Sequence, residues 1–343
     1  MLKKLMISKP ISLGVIMSYR CTSECGHCMY ASSPKWHGDW MSPEFFEKVL
    51  KGLGKCIRAY SPKSGISMNY GLHFTGGEPF LNYELLLEFV KLSRIYRLNS
   101  NFVETNCFWC TSDGVVEERF SKLKENGLGG VLVSANPFVT EFVPIENIER
   151  AIRVGYEIFG DGLMVYHPKL YRDMKGVGFV GRMNFRNYLK VADEEALSTL
   201  HDAGILLQMG RLVWRHSSIF KRFPPEKFFN ENCLEELTRR WHVHIDNYGN
   251  YISGYCAGLS LGKYNGSDAI FEEGIDLNEH PVIKAVASSL EDLFVYAKEK
   301  YDYKPKSEGY VSKCHLCLDL RKHLIENGSF LEELSPRQFY DNL

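Results

Sequence analysis

Three cysteines fall within eight positions of "CTSECGHCMY", residues 21–30, with three residues between Cys21 and Cys25 and two between Cys25 and Cys28. Three thiolates can hold three irons of a cubic four-iron cluster and leave the fourth iron open. A structural zinc site, or a plain electron carrier, is closed by four ligands. An open coordination position is the usual mark of a catalytic metal. The spacing alone also allows a zinc site completed by His27 or by a distant residue. The chain has ten cysteines, seven of them in the tight groups 21/25/28, 107/110 and 314/317, while Cys56, Cys233 and Cys256 stand apart. In a reducing compartment such usage points to metal binding or catalysis, not to a disulfide framework.

Composition sets the frame around these thiols. The 343 residues, 45% hydrophobic, suit two domains or one large domain with an extension. A net charge of -1 with no long run of one sign argues against a nucleic-acid partner or a polybasic membrane patch. The start, MLKKLMISKPISLGVIMSYR, has a short apolar run and no small-residue cleavage site, so a strand is expected there and not a signal peptide. No stretch approaches the roughly 18 apolar residues of a membrane span. The expectation is a cytoplasmic protein with no membrane association.

A second motif is independent of the first. "GLHFTGGEP", residues 71–79, is a short β run followed by a Gly-Gly turn, where the backbone can approach a ligand closely. Together with the CxxxCxxC about fifty residues earlier, it makes the chain resemble the radical S-adenosylmethionine (radical SAM) enzymes. That resemblance implies a [4Fe-4S] cluster on Cys21, Cys25 and Cys28, with the amino and carboxylate groups of SAM on the open iron. A ferredoxin- or flavodoxin-type reductant would drive cleavage of SAM to methionine and a 5'-deoxyadenosyl radical, which abstracts hydrogen from substrate. His27 stands where the family often has an aromatic residue, and would pack near the adenine. Gly76, Gly77 and Glu78 match the strand end that meets the methionine part of SAM. In "VLVSANPF", residues 131–138, Ser134 and Asn136 match positions that bind the ribose or carboxylate, although Asn-Pro is also a common turn. Asn106 in "ETNCFWC" resembles the family's Thr-Asn-Gly, with Cys107 in place of the glycine.

The elements that must position these residues follow from the chain's rhythm. Apolar, β-branched runs alternate with amphipathic helical patterns, the reading of a parallel βα architecture. Strands are expected at 12–18, 71–75, 101–106, 130–135, 162–166 and 205–213, and helices at 43–59, 83–96, 115–126, 145–159 and 194–203. Ser42-Pro43-Glu44 and Asp193-Glu194 read as helix starts. Cys56, beside Leu53 and Ile57 in a helical pattern, reads as core. The fold class is α/β, and the six units resemble the partial (β/α)6 barrel of the radical SAM family, expected over 11–225. Parallel barrels place their sites at strand C-terminal ends, where Cys21 and Gly76 fall.

The later cysteines form a second pattern. "WHVHIDNYGNYISGYC", residues 241–256, alternates on both sides of Asn247-Tyr248-Gly249-Asn250 and reads as a β-hairpin ending at Cys256. Cys233 precedes it. A long helical segment, 281–300, leads to "KCHLCLDLRKHLIENG", where Cys314 and Cys317 open a helix. This order resembles the Twitch extension, a short form of the SPASM domain, expected over 226–343. The resemblance implies that Cys233, Cys256, Cys314 and Cys317 ligate one auxiliary [4Fe-4S] cluster; a zinc site with four cysteine ligands is the chemical alternative.

Cys107 and Cys110 at the third strand end are candidates for giving a hydrogen atom to a substrate radical, or are plain apolar loop positions. Tyr166, His167, Arg211, Arg215 and His216 could shape the pocket for an anionic or hydroxyl-bearing substrate, or be solvated loop charges. By architecture the resemblance runs from Ile11 to Leu324. The expected reaction is oxidation by dehydrogenation of a small molecule or peptide, with the auxiliary cluster accepting the substrate electron. A peptide maturase forming a crosslink or epimerising a residue uses the same parts. An iron-sulfur electron carrier or zinc-stabilised binding protein would need neither the open cluster nor Gly-Gly-Glu.

Overall fold

The computed structural model describes residues 3–61 and 65–343. Five βα units succeed one another along the first half. Strands β1 (Ser12–Ser18), β2 (Gly71–Gly76), β3 (Asn101–Thr105), β4 (Gly130–Ser134) and β5 (Leu163–Tyr166) alternate with helices α1 (Pro43–Leu53), α2 (Tyr83–Ile95), α3 (Asp113–Glu125), α4 (Ile145–Phe159) and α5 (Pro168–Gly176). All seven residues of β1 are buried, as expected of a parallel strand covered on both faces.

The expected sixth strand at 205–213 is not formed. Gly210–Arg215 is instead a short helix, α6, and the preceding residues turn. A short apolar run such as ILLQMGRLVW fits a buried strand or a buried helix equally well, and periodicity alone does not separate the two. The sixth parallel strand is β6 (Val243–Asp246), which pairs with β1, Leu13 opposite Val243. Antiparallel β7 (Tyr251–Ile252) follows it through the expected four-residue turn. The sheet order is therefore β5-β4-β3-β2-β1-β6-β7, open at both edges. It is an α/β fold whose parallel sheet does not close into a full barrel, and it runs across the expected boundary at 225/226. Lys4–Leu5 and Ile275–Asp276 form a separate two-stranded pair.

The helices start where their caps dictate. Ser42 Oγ accepts from Phe45 N at 3.1 Å, with Pro43 in the first turn of α1. Phe46, Val49, Leu50 and Leu53 form its buried face. Phe46 stacks on Phe89 of α2 at 4.2 Å, which fixes the α1–α2 layer over β2. Cys56 ends a single 3-10 turn after α1 and is half-buried, short of the core position expected. The segment 281–300 is two helices, Pro281–Ser288 and Leu290–Tyr301. Ser289 breaks them, its backbone extended and its Oγ accepting from Asp292 N at 3.0 Å. Ser289-Leu290-Glu291-Asp292 is the capping signal that marks this break in the sequence. The last long helix, Lys313–Asn327, begins at Ser312, whose Oγ accepts from His315 N at 3.2 Å. Among the described residues, no helix is long and apolar enough to cross a membrane.

Candidate active site

The cysteine loop leaves the C-terminal end of β1 beside the end of β2, where a register shift between Ile16 and Ser18 bends the strand. Gly77 N donates to Ser18 O at 2.8 Å and Glu78 N to Arg20 O at 3.0 Å. Gly76 has φ +120°, a conformation glycine adopts at little cost. A Cβ on Gly77 would lie 1.9 Å from Arg20 O. Gly-Gly thus lets the residue before Cys21 lie directly on the strand end. Gly77→Ala is expected to cost about 3 kcal/mol or more, because both colliding groups are backbone. Thermal unfolding checks this, together with a drop in iron retained by the loop.

Glu78 is buried and turned away from the cavity. Its carboxylate accepts from Asn106 N at 2.7 Å, Thr105 Oγ1 at 3.0 Å and Phe80 N at 3.1 Å. Burial pushes its pKa up to about 7, against the pull of these donors. Asn106 in turn donates to Thr22 Oγ1 at 3.1 Å and Ser23 Oγ at 3.3 Å, and its Nδ2 lies 3.6 Å from Cys21 Sγ. Glu78 and Asn106 therefore tie the ends of β2 and β3 to the cysteine loop.

The far side of the loop is held by Arg211 of α6, which is fully buried. Its guanidinium donates to Cys25 O at 3.2 Å, Ser32 O at 3.0 Å and Asn342 O at 2.8 Å. Arg211 is a clamp on the loop and not a substrate ligand. Arg215 reaches Leu343 O at 3.2 Å, and His216 packs edge-on against Phe185. His167 caps α5, its Nδ1 accepting from Lys169 N at 3.2 Å. Of the five residues expected to shape the substrate pocket, Tyr166 alone lines the cavity, so the basic-cluster argument for an anionic substrate falls away.

That cavity is walled by Cys21, Cys25 and Cys28, by Gly76 and Gly77, and by Ser134 at the end of β4. His27 also lines it, stacked on Phe138 at 5.1 Å. Burial lowers the His27 pKa to about 4, so the ring is neutral, and its Nε2 accepts from Asn136 Nδ2 at 3.1 Å. Asn136 Oδ1 accepts from Phe138 N and Val139 N at 3.1 and 3.2 Å. It makes the turn that its Asn-Pro sequence signals and also orients His27, without lining the cavity itself. Burial and the neighbouring Glu78 and Cys28 raise the Cys21 thiol to about 12, while burial, Cys21 and Cys28 raise Cys25. Three thiols on one cavity wall are a donor set suited to a cationic metal centre.

Residues 15–175 match the family model described as Radical SAM superfamily. Residues 15–175 thus form a radical SAM domain. Such a domain implies a [4Fe-4S] cluster and SAM, which the residues around Cys21, Cys25 and Cys28 fit. The chain is 25% identical over 147 residues to a Bacillus subtilis (strain 168) protein described as "Putative peptide biosynthesis protein YydG", a match covering 43% of this chain and 42% of that protein. The match thus spans well under half the length of this curated relative. Two solved structures are similar. One is BtrN in complex with AdoMet and 2-DOIA, at 15% identity and TM-score 0.43, covering 83% of this chain and 89% of that one. The other is native anSMEcpe with bound AdoMet and Cp18Cys peptide, at 13% identity and TM-score 0.41, covering 92% and 97%.

Four further cysteines of this radical SAM enzyme come together from separate elements. Cys233 precedes a short helix, Cys256 follows β7, and Cys314 and Cys317 lie in the first turns of the helix Lys313–Asn327. Cys233 is raised by burial and then by Cys317, Cys256 and Cys314; Cys314 is raised to about 12 by burial, Cys256 and Cys317. Arg321, buried beside them, donates to Ala257 O at 3.1 Å. Tetrahedral zinc with 2.3 Å bonds would hold four sulfurs about 3.8 Å apart. Among the described residues, no three cysteine sulfurs lie mutually within 4.8 Å. The set is more open than a closed zinc site.

Cys107 and Cys110 are both fully buried and do not line the cavity. Cys110 N donates to Cys107 O at 3.1 Å in a tight turn, and Trp109 Nε1 donates to Thr105 Oγ1 at 3.1 Å, sealing the loop. This burial favours the plain apolar loop reading of the two cysteines over the hydrogen-donor one. Sequence reading also missed Tyr30, Glu104, His242 and Tyr255, all on the cavity wall. Polar residues within or beside apolar β runs were the available signal for Glu104 in "FVET" and His242 in "WHVHID", whereas Tyr30 and Tyr255 lie in turns and carried none.

Proposed function

We propose that this radical SAM enzyme oxidises a residue of a peptide substrate, with Cys233, Cys256, Cys314 and Cys317 holding an auxiliary [4Fe-4S] cluster. The observation that carries this reading is the junction of Tyr255 and Cys256. Tyr255 lines the cavity, and the next residue belongs to the four-cysteine set. When bound, SAM on the open cluster supplies the hydrogen-abstracting radical, and the closed cluster supplies an electron acceptor. Cys21, Cys25 and Cys28 hold the first cluster. Gly76, Gly77, Ser134 and His27 face SAM, while Glu78 and Asn136 position the loop and His27. Met29, Tyr30, Leu132, Tyr166 and Leu206 give the remaining wall an apolar and aromatic character suited to a peptide side chain. The partial match to a protein described by peptide biosynthesis supports that substrate class.

Epimerisation, the competing reaction, must return a hydrogen atom to the substrate. Among the described residues, no cysteine outside 21, 25 and 28 lines the cavity, so oxidation is the better-supported outcome. Residues 226–343 are read as the Twitch/SPASM-like part, the reductant as ferredoxin- or flavodoxin-type, and the setting as cytoplasmic, in keeping with ten free thiols. Anaerobic turnover of peptides encoded beside the gene, run in deuterated water, tests the proposal. The expected product has lost two hydrogens and carries no deuterium at carbon. A product of unchanged composition carrying one deuterium would establish epimerisation instead.

A further inference from the structure

Behind the cavity, three histidines from two strands and one turn meet at a single point. His73 lies on β2, His244 on β6, and His242 just before β6. None is more than 1% exposed. Among the described residues they are the one set whose ligand atoms all lie within 4.8 Å of one another. His73 Nε2 and His244 Nε2 are 3.2 Å apart. A tetrahedral zinc bound by two imidazoles sets their nitrogens about 3.3 Å apart.

The surroundings aim the rings. The Nδ1 of His244 donates to Gly254 O at 3.1 Å, and that of His242 to Met68 O at 3.4 Å. Carbonyls accept only, so both tautomers carry the proton on Nδ1 and leave Nε2 with a lone pair, the arrangement by which backbone carbonyls orient metal-binding histidines. His242 Nε2 is buried with no hydrogen-bond partner. His242 also holds φ +54°, a strained conformation for a residue other than glycine. A Cβ on Gly14 of β1 would lie 2.2 Å from His244 Cδ2 and 2.5 Å from His73 Nε2, so the bare backbone there makes room for the rings. Burial lowers the pKa of all three imidazoles and keeps them neutral.

A carboxylate stands ready to offset a cation. Glu104 Oε1 is 3.8 Å from His73 Nε2, and its other oxygen accepts from Thr75 Oγ1 at 2.6 Å. Tyr30 OH lies 2.9 Å from His244 Nε2. As a purely hydrogen-bonded cluster, the set places Tyr30 and His73 as two donors on the one lone pair of His244 and leaves His242 Nε2 orphaned. A cation at the centre satisfies all three nitrogens.

We infer that His73, His242 and His244 bind one divalent first-row transition metal ion, with zinc the simplest occupant and Glu104 its charge partner. Imidazole donors suit that class of metal. His242, Glu104 and Tyr30 all line the substrate cavity, so the ion borders it.

The test uses the holoenzyme, reconstituted anaerobically so that both cysteine sets are loaded, stripped of loose metal and then titrated with Zn2+ alone. One equivalent per chain is expected to bind. Zinc-edge X-ray absorption should show nitrogen and oxygen at about 2.0–2.1 Å and no sulfur near 2.3 Å. His242→Ala should weaken zinc binding by at least about a hundredfold, more than loss of an outer-shell partner. Circular dichroism and iron content report whether that variant folds; if it does not, the absorption spectrum of the parent protein decides. No zinc retained by the parent, a sulfur shell around the zinc, or unchanged affinity in folded His242→Ala would each overturn the inference.

Discussion

Ala at Cys21, Cys25 or Cys28 is expected to abolish reductive SAM cleavage outright. Each thiol lines the cavity, and a cluster left with two protein ligands does not hold its open iron toward that cavity. Iron content should fall by about four per chain, and the iron on the other four cysteines should remain. The loop itself should survive these changes. Its path is set by Gly77, Asn106 and Arg211, which contact backbone and hydroxyl groups more than thiols. Folding reported by circular dichroism should therefore be near that of the parent. Cys56→Ala is the control, since Cys56 sits on a half-buried turn away from both sets. Undiminished 5'-deoxyadenosine formation by any one of the three variants would remove the cluster assignment of these residues.

The double variant Cys314→Ala with Cys317→Ala separates the two cysteine sets. It removes half the ligands of the second set from one helix turn. Ser312 still caps that helix, and Arg321 still bonds Ala257 O from its middle. The expected result is that SAM cleavage persists while peptide oxidation stops. About four irons per chain should be lost. A folded double variant that oxidises peptide at the parent rate would leave the second set as scaffold only. Loss of SAM cleavage as well would show that the two sets depend on each other structurally.

Much of this site was legible because its chemistry sits on short, local patterns. The cysteine spacing, the Gly-Gly turn and the first five strands all lie where contiguous residues place them. What was not legible depends on distant pairings. The run at 205–213 has the composition of a buried strand, but Gly210, at φ +57°, packs against the backbone of Cys28 and Met29 and starts a helix. That contact is visible only once the cysteine loop is folded. The strand beside β1 comes from the hairpin at 243–252, whose alternation announces a strand without naming its neighbour. Arg211 reads as a free cation from composition and is instead spent on three backbone carbonyls. The spacing of Cys107 and Cys110 fits a hydrogen donor or plain loop positions alike, and their burial, which favours the latter, is not visible in the sequence. Glu78 matches its motif and yet faces the strand ends and not the cavity.

The pairing of β1 with β6 also orders the protein's assembly in time. His242 N donates to Ser12 Oγ across 230 residues of sequence. Until that late segment has left the ribosome, one edge of β1 has no partner, and unpaired edges invite wrong associations. Contacts of such separation also close slowly, because loop entropy is lost before they form. The cysteine loop hangs from this same strand, and its clamp Arg211 arrives about as late. Metal delivered before residues 211–246 have emerged would therefore meet a loop without its frame.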